Sequence, residues 1–100
     1  MVRIDVDRDA IAGFCRRNHI RSFAFFGSVL RDDFGPDSDV DVLVEFDHGA
    51  RVGFFSIARM QDELTVLLGR PADLRTPKGL SRYFRERVVE EAEKAYVARD

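Results

Sequence analysis

The segment of residues 39–46 alternates without interruption between an apolar and a mainly polar set of side chains. One set is Val40, Val42, Val44 and Phe46, and the other is Asp39, Asp41, Leu43 and Glu45. Successive side chains of a β-strand point to opposite faces, so this alternation predicts a strand that is buried on one face only. The polar face of that strand carries three carboxylates, and two of them, Asp39 and Asp41, are only two residues apart.

Further elements are predicted on the N-terminal side of this strand. From residue 7 or 9 to residue 18, apolar residues recur at intervals of three and four, which indicates an amphipathic helix. Acidic residues lie in its first turn and Arg16 and Arg17 in its last, as the helix dipole favours. Ile20–Phe26 is short and rich in aromatic and β-branched residues, which favours a buried strand that ends at Gly27. Residues 28–31 are predicted to begin a short helix, and residues 32–38 to form a loop.

The C-terminal half predicts a turn over residues 48–52 and then helix, strand and helix. The first helix ends at Gly69, and its expected apolar face is Phe54, Ile57, Ala58, Gln61, Leu64 and Leu68. Residues 71–74 are too few for a helix and predict a third strand. Residues 80–99 predict a final helix with one face formed by Phe84, Val88, Ala92 and Ala95 or Tyr96. This order predicts an α/β (α+β) fold, with a small mixed sheet of three to four strands flanked by helices.

Composition restricts the kind of protein. A chain of 100 residues that is 45% hydrophobic and 34% charged is expected to form one globular domain over residues 1–100. Its net charge of −2 provides no basic field, so direct binding of nucleic acid is not expected. Charges interrupt the N-terminal residues, and no apolar run approaches about 18 residues. We therefore expect a cytoplasmic protein with neither a signal peptide nor a membrane span.

Several residues with reactive or aromatic side chains are expected to be structural. Cys15 lies in the apolar pattern of the first helix and is predicted to be a buried small hydrophobe. His19 and His48 have no metal-type partner at a useful spacing and are expected to face solvent. Core packing is expected, rather than base stacking, for Phe23, Phe25, Phe54, Phe55 and Phe84.

The two aspartates of the alternating strand have the spacing of a cation site. Asp39 and Asp41 project from one face, with β-carbons about 6 to 7 Å apart. Two unit charges at that distance repel by roughly 2 to 3 kcal/mol at an effective dielectric constant near 20, and a divalent cation reverses this. Magnesium is usually held by one or two carboxylates plus substrate phosphates, and Asp73 would join the cluster if its strand pairs beside the second. The alternative is a solvated edge strand.

Gly27-Ser28 is the complementary half of the predicted site. A glycine that ends a strand lets the backbone approach a ligand, and the helical start behind it exposes N–H groups to a phosphate. Ser28 adds a hydroxyl, while Arg31 and Ser38 can reach the same anion from either side of the loop. Phosphates and metal would then meet between adjacent strand ends, as in-line displacement at phosphorus requires. The alternatives are a turn glycine, a helix-capping serine and a surface ion pair of the arginine.

Three motifs together carry a family resemblance. Phe26-Gly27-Ser28-Val29-Leu30-Arg31, Ser38-Asp39-Val40-Asp41-Val42-Leu43-Val44 and Pro71-Ala72-Asp73-Leu74 resemble the signature of the minimal nucleotidyltransferases of the polymerase-β superfamily. The resemblance implies a polymerase-β-like core that transfers AMP from ATP to a hydroxyl. It also implies a two-metal magnesium site at Asp39, Asp41 and Asp73, with Asp73 helping to activate the acceptor. Asp32 stands where the family commonly has glycine and adds negative charge near the expected triphosphate.

Chains this short resemble one functional group of that family. They resemble the type VII-like antitoxins, whose partner is an all-helical HEPN-domain ribonuclease toxin, and this implies AMP transfer to a tyrosine of that toxin. One alternative is a non-catalytic antitoxin that inhibits by stoichiometric binding. Another is transfer to a small-molecule hydroxyl such as that of an aminoglycoside, although relatives with that role carry an additional domain. Toxin contact is possible at the charged face of the final helix or at Phe54 and Phe55, and the sequence does not choose.

Overall fold

A computed structural model describes residues 2 and 4–98. The elements are α1 (Arg8–Arg17), β1 (Ile20–Phe26), β2 (Val40–Phe46), α2 (Phe54–Leu68), β3 (Ala72–Arg75), α3 (Arg85–Glu91) and β4 (Glu93–Val97), with 3-10 turns at Gly27–Leu30 and Pro77–Gly79. The four strands form a mixed sheet in the order β3-β2-β1-β4, in which only β2 and β3 are parallel. The predicted α/β fold with a small mixed sheet is confirmed. Among the described residues, no helix is long and apolar enough to span a membrane.

The first helix forms for the reasons that its sequence indicates. The side chain of Asp7 caps it by accepting hydrogen bonds from the backbone N–H groups of Asp9 and Ala10, both at 3.1 Å. Arg16 and Arg17 occupy the last turn, where cations interact favourably with the helix dipole. The helix buries Ile11, Phe14 and Cys15 against the sheet.

The main core lies on one face of the sheet. Val40, Val42 and Val44 are fully buried there, together with Phe23 and Phe25 of β1. Residues of α1 and α2 complete this cluster, so both helices cover the same face. Because side chains alternate along a strand, the other residues of β2 point to the opposite face. The carboxylate of Asp41 therefore emerges on the side of the sheet away from the main core.

The C-terminal segment differs from the prediction, and a helix over residues 80–99 is wrong. Only Arg85–Glu91 is helical; Ala92 has extended backbone angles (φ −62°, ψ 139°), and Glu93–Val97 forms β4. This strand pairs antiparallel with β1 and places Tyr96 opposite Phe23. The pairing satisfies backbone groups along an edge of β1 that a helix would leave open. Tertiary pairing therefore overrides the helical propensity of this segment.

The expected apolar face of that final helix is wrong for the same reason. Phe84 is 49% exposed where α3 begins. Ala95 and Tyr96 pack against the core, but from β4 rather than from a helix. Residue 99, the predicted end of the helix, lies outside the described residues.

Helix α2 has the predicted bounds but a different buried face. Gly69 ends it in the left-handed conformation, with φ 72°. The residues that pack against the core are Ile57, Met60, Leu64, Leu67 and Leu68. At about 100° per residue, Phe54 and Ala58 lie roughly 90° and 130° from the centre of that stripe. Both are exposed, so their assignment to the apolar face is wrong.

The expectation of core packing for the five phenylalanines is only partly confirmed. Phe23 and Phe25 are buried and contact each other edge to face, with ring centroids 5.4 Å apart. The expectation is wrong for Phe54, Phe55 and Phe84, which are 85%, 84% and 49% exposed. Phe54 and Phe55 stand in the first turn of α2, and Phe84 is the N-cap of α3, a helix with no buried residue.

Cys15 is fully buried, as predicted, and burial raises the pKa of its thiol to about 12. Since the folded pKa exceeds the ordinary value of 9.0, the stability that Cys15 contributes is present below pH 9.0 and is lost as the pH rises toward 12.

The thiol of Cys15 is also expected to be unreactive in the folded chain. Because reaction requires an accessible thiolate, we expect a thiol reagent to label the native chain at least about 100-fold more slowly than the urea-unfolded chain. Absorbance of the released reagent measures the labelling rate. Equal rates in the native and unfolded chains would contradict this burial.

Candidate active site

Strands β2 and β3 bring Asp41 and Asp73 side by side. The two residues are partners in the parallel register. The residues that follow them, Val42 and Leu74, are buried in the main core, so both carboxylates emerge on the opposite face. Asp39 lies one residue before β2 and is exposed. The structure thus places Asp41 beside Asp73, with Asp39 at the open end of the strand.

Gly27 lies against the carboxylate of Asp41. Strand β1 places Phe26 opposite Asp41, and the chain then turns at Gly27 with φ +76°. A β-carbon built on Gly27 would lie only 2.6 Å from Oδ2 of Asp41. Both the positive φ and this close approach require glycine. Buried Val29 anchors the 3-10 turn that follows, so the backbone of this turn is held next to the carboxylate.

Ser28 and Ser38 lie at the two ends of the loop that joins β1 to β2. The hydroxyl of Ser28 donates a long hydrogen bond of 3.5 Å to the carbonyl oxygen of Asp39. Oγ of Ser38 accepts a hydrogen bond of 3.1 Å from the backbone N–H of Gly35. Arg70, which the sequence did not single out, donates from Nη1 to the carbonyl oxygen of Gly35 at 3.0 Å. The loop is therefore tied both within itself and to the segment after α2.

A cavity of about 670 Å³ opens beside this turn. Its lining residues are Phe26, Gly27, Leu30, Arg31, Asp41, Arg87, Val88 and Glu91. Arg31 also contacts Oδ1 of Asp33 through Nε at 3.4 Å, and Arg87 pairs with Glu91 at 3.2 Å. Arg87 belongs to the charged face that the sequence predicts for the final helix, and the sequence did not place it at a nucleotide site. No local pattern could have found its place at the cavity, because that place depends on where α3 ends and β4 returns.

A second cavity, of about 320 Å³, also contains Asp41. It is lined by Phe26, Asp41, Asp73, Arg75, Gly79, Leu80, Ser81 and Phe84. Arg75 donates to Oδ2 of Asp73 from both Nε and Nη2, at 3.1 and 3.0 Å. Sequence reasoning missed Arg75, although its spacing of two from Asp73 puts both residues on one strand face. Asp41 therefore borders two cavities, one beside the glycine turn and one beside Asp73.

The electrostatics of the site converge on Asp41, which is half-buried. Burial is the largest influence and raises the pKa of its carboxyl, and the negative charge of Asp73 raises it further. Arg75 lowers the pKa, Asp39 raises it, and Arg31 lowers it, in decreasing order of effect. Neighbouring carboxylates disfavour the charged form, whereas cations favour it. Two neighbouring carboxylates and two arginines thus act on the carboxyl of Asp41.

Three other titratable residues that the sequence singled out are exposed. His19 and His48 are exposed, as predicted, and Nε2 of His48 lies 2.8 Å from Nη1 of Arg21. Asp32 is also exposed, so water screens the charge that it adds to the loop. In the described part of the chain, no three His, Cys, Asp or Glu side chains are grouped so that they could hold a metal ion as they stand.

Solved structures with this architecture include nucleotidyltransferases. One, described as a "putative minimal nucleotidyltransferase", is 37% identical and has a TM-score of 0.68, and the match covers 85% of each chain. A toxin–antitoxin complex with AMP-PNP has a TM-score of 0.74 at 18% identity, covering 94% of this chain and 76% of that one. A complex of tri-AMPylated Shewanella oneidensis HEPN toxin with its MNT antitoxin has a TM-score of 0.66 at 18% identity, covering 91% and 70%. The fold is therefore the nucleotidyltransferase fold.

The amino-acid sequence also matches the nucleotidyltransferases. Residues 8–96 match the family described as "Nucleotidyltransferase domain". A Methanocaldococcus jannaschii protein named "Putative protein adenylyltransferase" is 32% identical over 72 residues, which are 72% of this chain and 72% of that protein. The chain belongs to the nucleotidyltransferase domain family, and nucleotidyl transfer is its class of activity.

Proposed function

We propose that this chain, a single minimal nucleotidyltransferase domain over residues 1–100, is a cytoplasmic, magnesium-dependent protein adenylyltransferase. It transfers AMP from ATP to a tyrosine hydroxyl of a HEPN-domain toxin and so acts as a type VII-like antitoxin. The observation that carries the proposal is the position of Asp41. Its carboxylate touches the glycine turn on one side and is in register with Asp73 on the other, so donor and acceptor can meet there.

The nucleotide is assigned to the larger cavity, beside Gly27. The backbone N–H groups of the turn and the guanidinium of Arg31 are donors of the kind that bind phosphate oxygens. Ser28 and Ser38, at the two ends of the same loop, are the further proposed contacts. Arg87 lines the same cavity and adds a cation on the side of α3. The acceptor is assigned to the smaller cavity, beside Asp73.

Asp39, Asp41 and Asp73 would hold magnesium in a two-metal site. Carboxylate oxygens are the ligands that magnesium prefers, and it commonly keeps waters and substrate phosphates as its other ligands. Burial and then the neighbouring carboxylates raise the pKa of Asp41, and a divalent cation would oppose both effects because it favours the charged form. When bound, magnesium supplies neutralisation of the triphosphate and lowers the pKa of the attacking hydroxyl.

The proposed step is an in-line displacement at the α-phosphorus of ATP. The tyrosine oxygen forms the new O–P bond while the bond from that phosphorus to the bridging oxygen breaks, and pyrophosphate leaves with the bonding electrons. The hydroxyl proton passes to the carboxylate of Asp73, which lines the acceptor cavity. The glycine turn holds the α-phosphate in place beside Asp41.

The test mixes the protein with its proposed partner, a HEPN-domain protein sought among the products of the neighbouring genes, together with magnesium and ATP labelled on the α-phosphate. We expect covalent label on the partner, which peptide mass spectrometry locates on a tyrosine. Chelation of magnesium or replacement of that tyrosine with phenylalanine should abolish the label. If the wild-type protein left the partner unlabelled, or if the label lay on an amine of the partner, the proposal would be contradicted.

A second candidate, inhibition of the toxin by stoichiometric binding, is favoured by the contact of Asp73 with Arg75. That ion pair balances the charge of the third carboxylate in the absence of any metal. This candidate expects the double variant Asp39→Asn/Asp41→Asn to protect cells as well as wild type does and to co-purify with the toxin. The catalytic proposal expects the double variant to lose protection.

Replacing Arg75 with methionine is expected to tighten the binding of Mn²⁺, used in place of magnesium, by about two- to five-fold. Its guanidinium competes with a metal for Oδ2 of Asp73 and lowers the negative potential at Asp41. Titration followed by electron paramagnetic resonance gives the Mn²⁺ affinity. Arg59→Met, an exposed arginine on α2, is the matched control and should leave the affinity unchanged. Unchanged or weaker binding by the Arg75 variant would contradict this role.

A further inference from the structure

Four aromatic residues outside the core form what we call the aromatic rim: Phe54, Phe55, Tyr83 and Phe84. They are 85%, 84%, 85% and 49% exposed. Phe54 and Phe55 contact each other edge to face, with ring centroids 6.4 Å apart, rather than the core. Exposed apolar side chains that occur singly need no explanation, but grouped ones mark contact surfaces.

Both halves of the aromatic rim adjoin the Asp73–Arg75 ion pair. Phe84 lines the acceptor cavity together with Asp73 and Arg75. Phe54 lines a neighbouring cavity of about 300 Å³, whose wall also includes Asp73 and Arg75. The ion pair is therefore common to the two cavities that carry the rim. A molecule that covers the rim lies against the third carboxylate of the site.

The position of the rim separates acceptor from nucleotide. The nucleotide is assigned to the cavity of Gly27, Arg31 and Arg87, whose lining includes no rim residue. The rim instead borders the side from which a hydroxyl would approach Asp73. A small acceptor would fill one cavity and leave most of the rings in water. Covering all four rings removes on the order of 500 Å² from water, a large share of the roughly 800 Å² that each partner of a standard protein interface buries.

Two arginines lie at the rim: Asp73 balances the charge of Arg75, and Arg82 adds a second guanidinium. Arg75 projects between the two halves and is 51% exposed. The guanidinium of Arg82 lies 5.3 Å from the ring centroid of Tyr83. Arginines beside exposed aromatic rings are complementary to a surface that combines apolar and acidic side chains.

We propose that the aromatic rim is the docking surface for the protein acceptor, and that the accepting tyrosine lies in an acidic segment of that partner. The identity of the acceptor and the assignment of the two cavities rest on the proposed function, whereas the exposure and grouping of the four rings do not. Phe54 and Phe84 are its anchors, because each also lines a cavity next to Asp73. Arg75 and Arg82 orient the acidic segment so that its hydroxyl reaches the smaller cavity.

The test measures binding of the proposed HEPN-domain partner by calorimetry without nucleotide. Phe54→Ser and Phe84→Ser are each expected to raise the dissociation constant for the partner at least about ten-fold. Val66→Ser is the matched control, because Val66 is 84% exposed and lies on α2 but lines neither rim cavity. This variant should bind the partner with the wild-type affinity. All three variants should bind AMP-PNP as wild type does. Raising the salt concentration should weaken partner binding, since it screens the arginines.

Several results would overturn this proposal. Rim variants that bind the partner as tightly as wild type would exclude the docking surface, and so would an equal loss in Val66→Ser. Affinity independent of salt would exclude the acidic segment. Failure of the proposed function looks different: the partner binds at the rim, with the expected loss in the variants, but wild type transfers no AMP. If wild type and the rim variants transferred AMP at equal rates, the docking role of the rim would be contradicted, whereas the proposed adenylyltransferase function would not.

Discussion

AMP transfer is expected to fall at least about 1000-fold when Asp39 or Asp41 is replaced with asparagine. Asparagine keeps the size of the side chain but removes the negative charge that would hold magnesium. The thermal stability of Asp41→Asn should stay equal or rise, because burial and the charges of Asp73 and Asp39 already oppose the charged form of this carboxyl. Initial rates with α-labelled ATP and thermal denaturation, both on the same preparation, measure the two effects.

The matched control is Asp47→Asn, since Asp47 is exposed just beyond the other end of β2. This variant should retain the wild-type rate, because its side chain lines neither cavity of the site. An Asp41→Asn variant that keeps a tenth or more of the rate would exclude the proposed metal role. A loss of rate that follows a loss of melting temperature would assign the effect to folding.

Replacing Gly27 with alanine is expected to slow AMP transfer at least about 100-fold and to cost roughly 1 to 3 kcal/mol of stability. The new β-carbon would meet Oδ2 of Asp41 at 2.6 Å, so either the turn or the carboxylate must move. The positive φ of 76° adds backbone strain. Both changes misalign the phosphate turn with the carboxylate. Transfer rates and urea denaturation measure the two effects.

Gly49→Ala separates these two causes. Gly49 has a similar φ of +82°, but a β-carbon there would meet nothing within 4 Å. We expect this variant to lose about 1 to 2 kcal/mol of stability from strain alone and to keep the wild-type transfer rate. If Gly27→Ala were as active as Gly49→Ala, the contact between the turn and Asp41 would have no role in the reaction.

Local sequence patterns predicted the elements whose limits are set locally. Ile20–Phe26 has the predicted bounds because Gly27 is the residue whose positive φ ends the strand. Gly69 ends α2 in the same way. The Asp41–Asp73 pairing also followed from a stated condition, that the third strand lies beside the second, and the parallel register of β2 and β3 meets it. For Gly27 and Gly69 a short stretch of sequence contains the information needed, whereas the Asp41–Asp73 pairing also required that β3 lie beside β2.

The features that were missed depend on contacts between distant parts of the chain. Glu93–Val97 reads as helix by propensity and becomes a strand because β1 offers an open edge about 70 residues earlier. Arg87 reaches the nucleotide cavity only because α3 stops at Glu91. The exposure of Phe54 depends on which side of α2 meets the sheet, and the predicted apolar face wrongly included it. Contacts between distant segments therefore decided the position of Arg87 at the cavity beside Gly27 and the exposure of Phe54.

The claim that this chain adenylylates a partner protein is tested most directly by the mass of that partner. The HEPN-domain protein is co-expressed with the wild-type chain or with the double variant Asp39→Asn/Asp41→Asn, purified, and weighed intact by mass spectrometry. We predict a partner heavier by one or more whole AMP groups with wild type and an unmodified partner with the double variant. An unmodified partner that co-purifies with wild type, or the same added mass with the double variant, would contradict the claim.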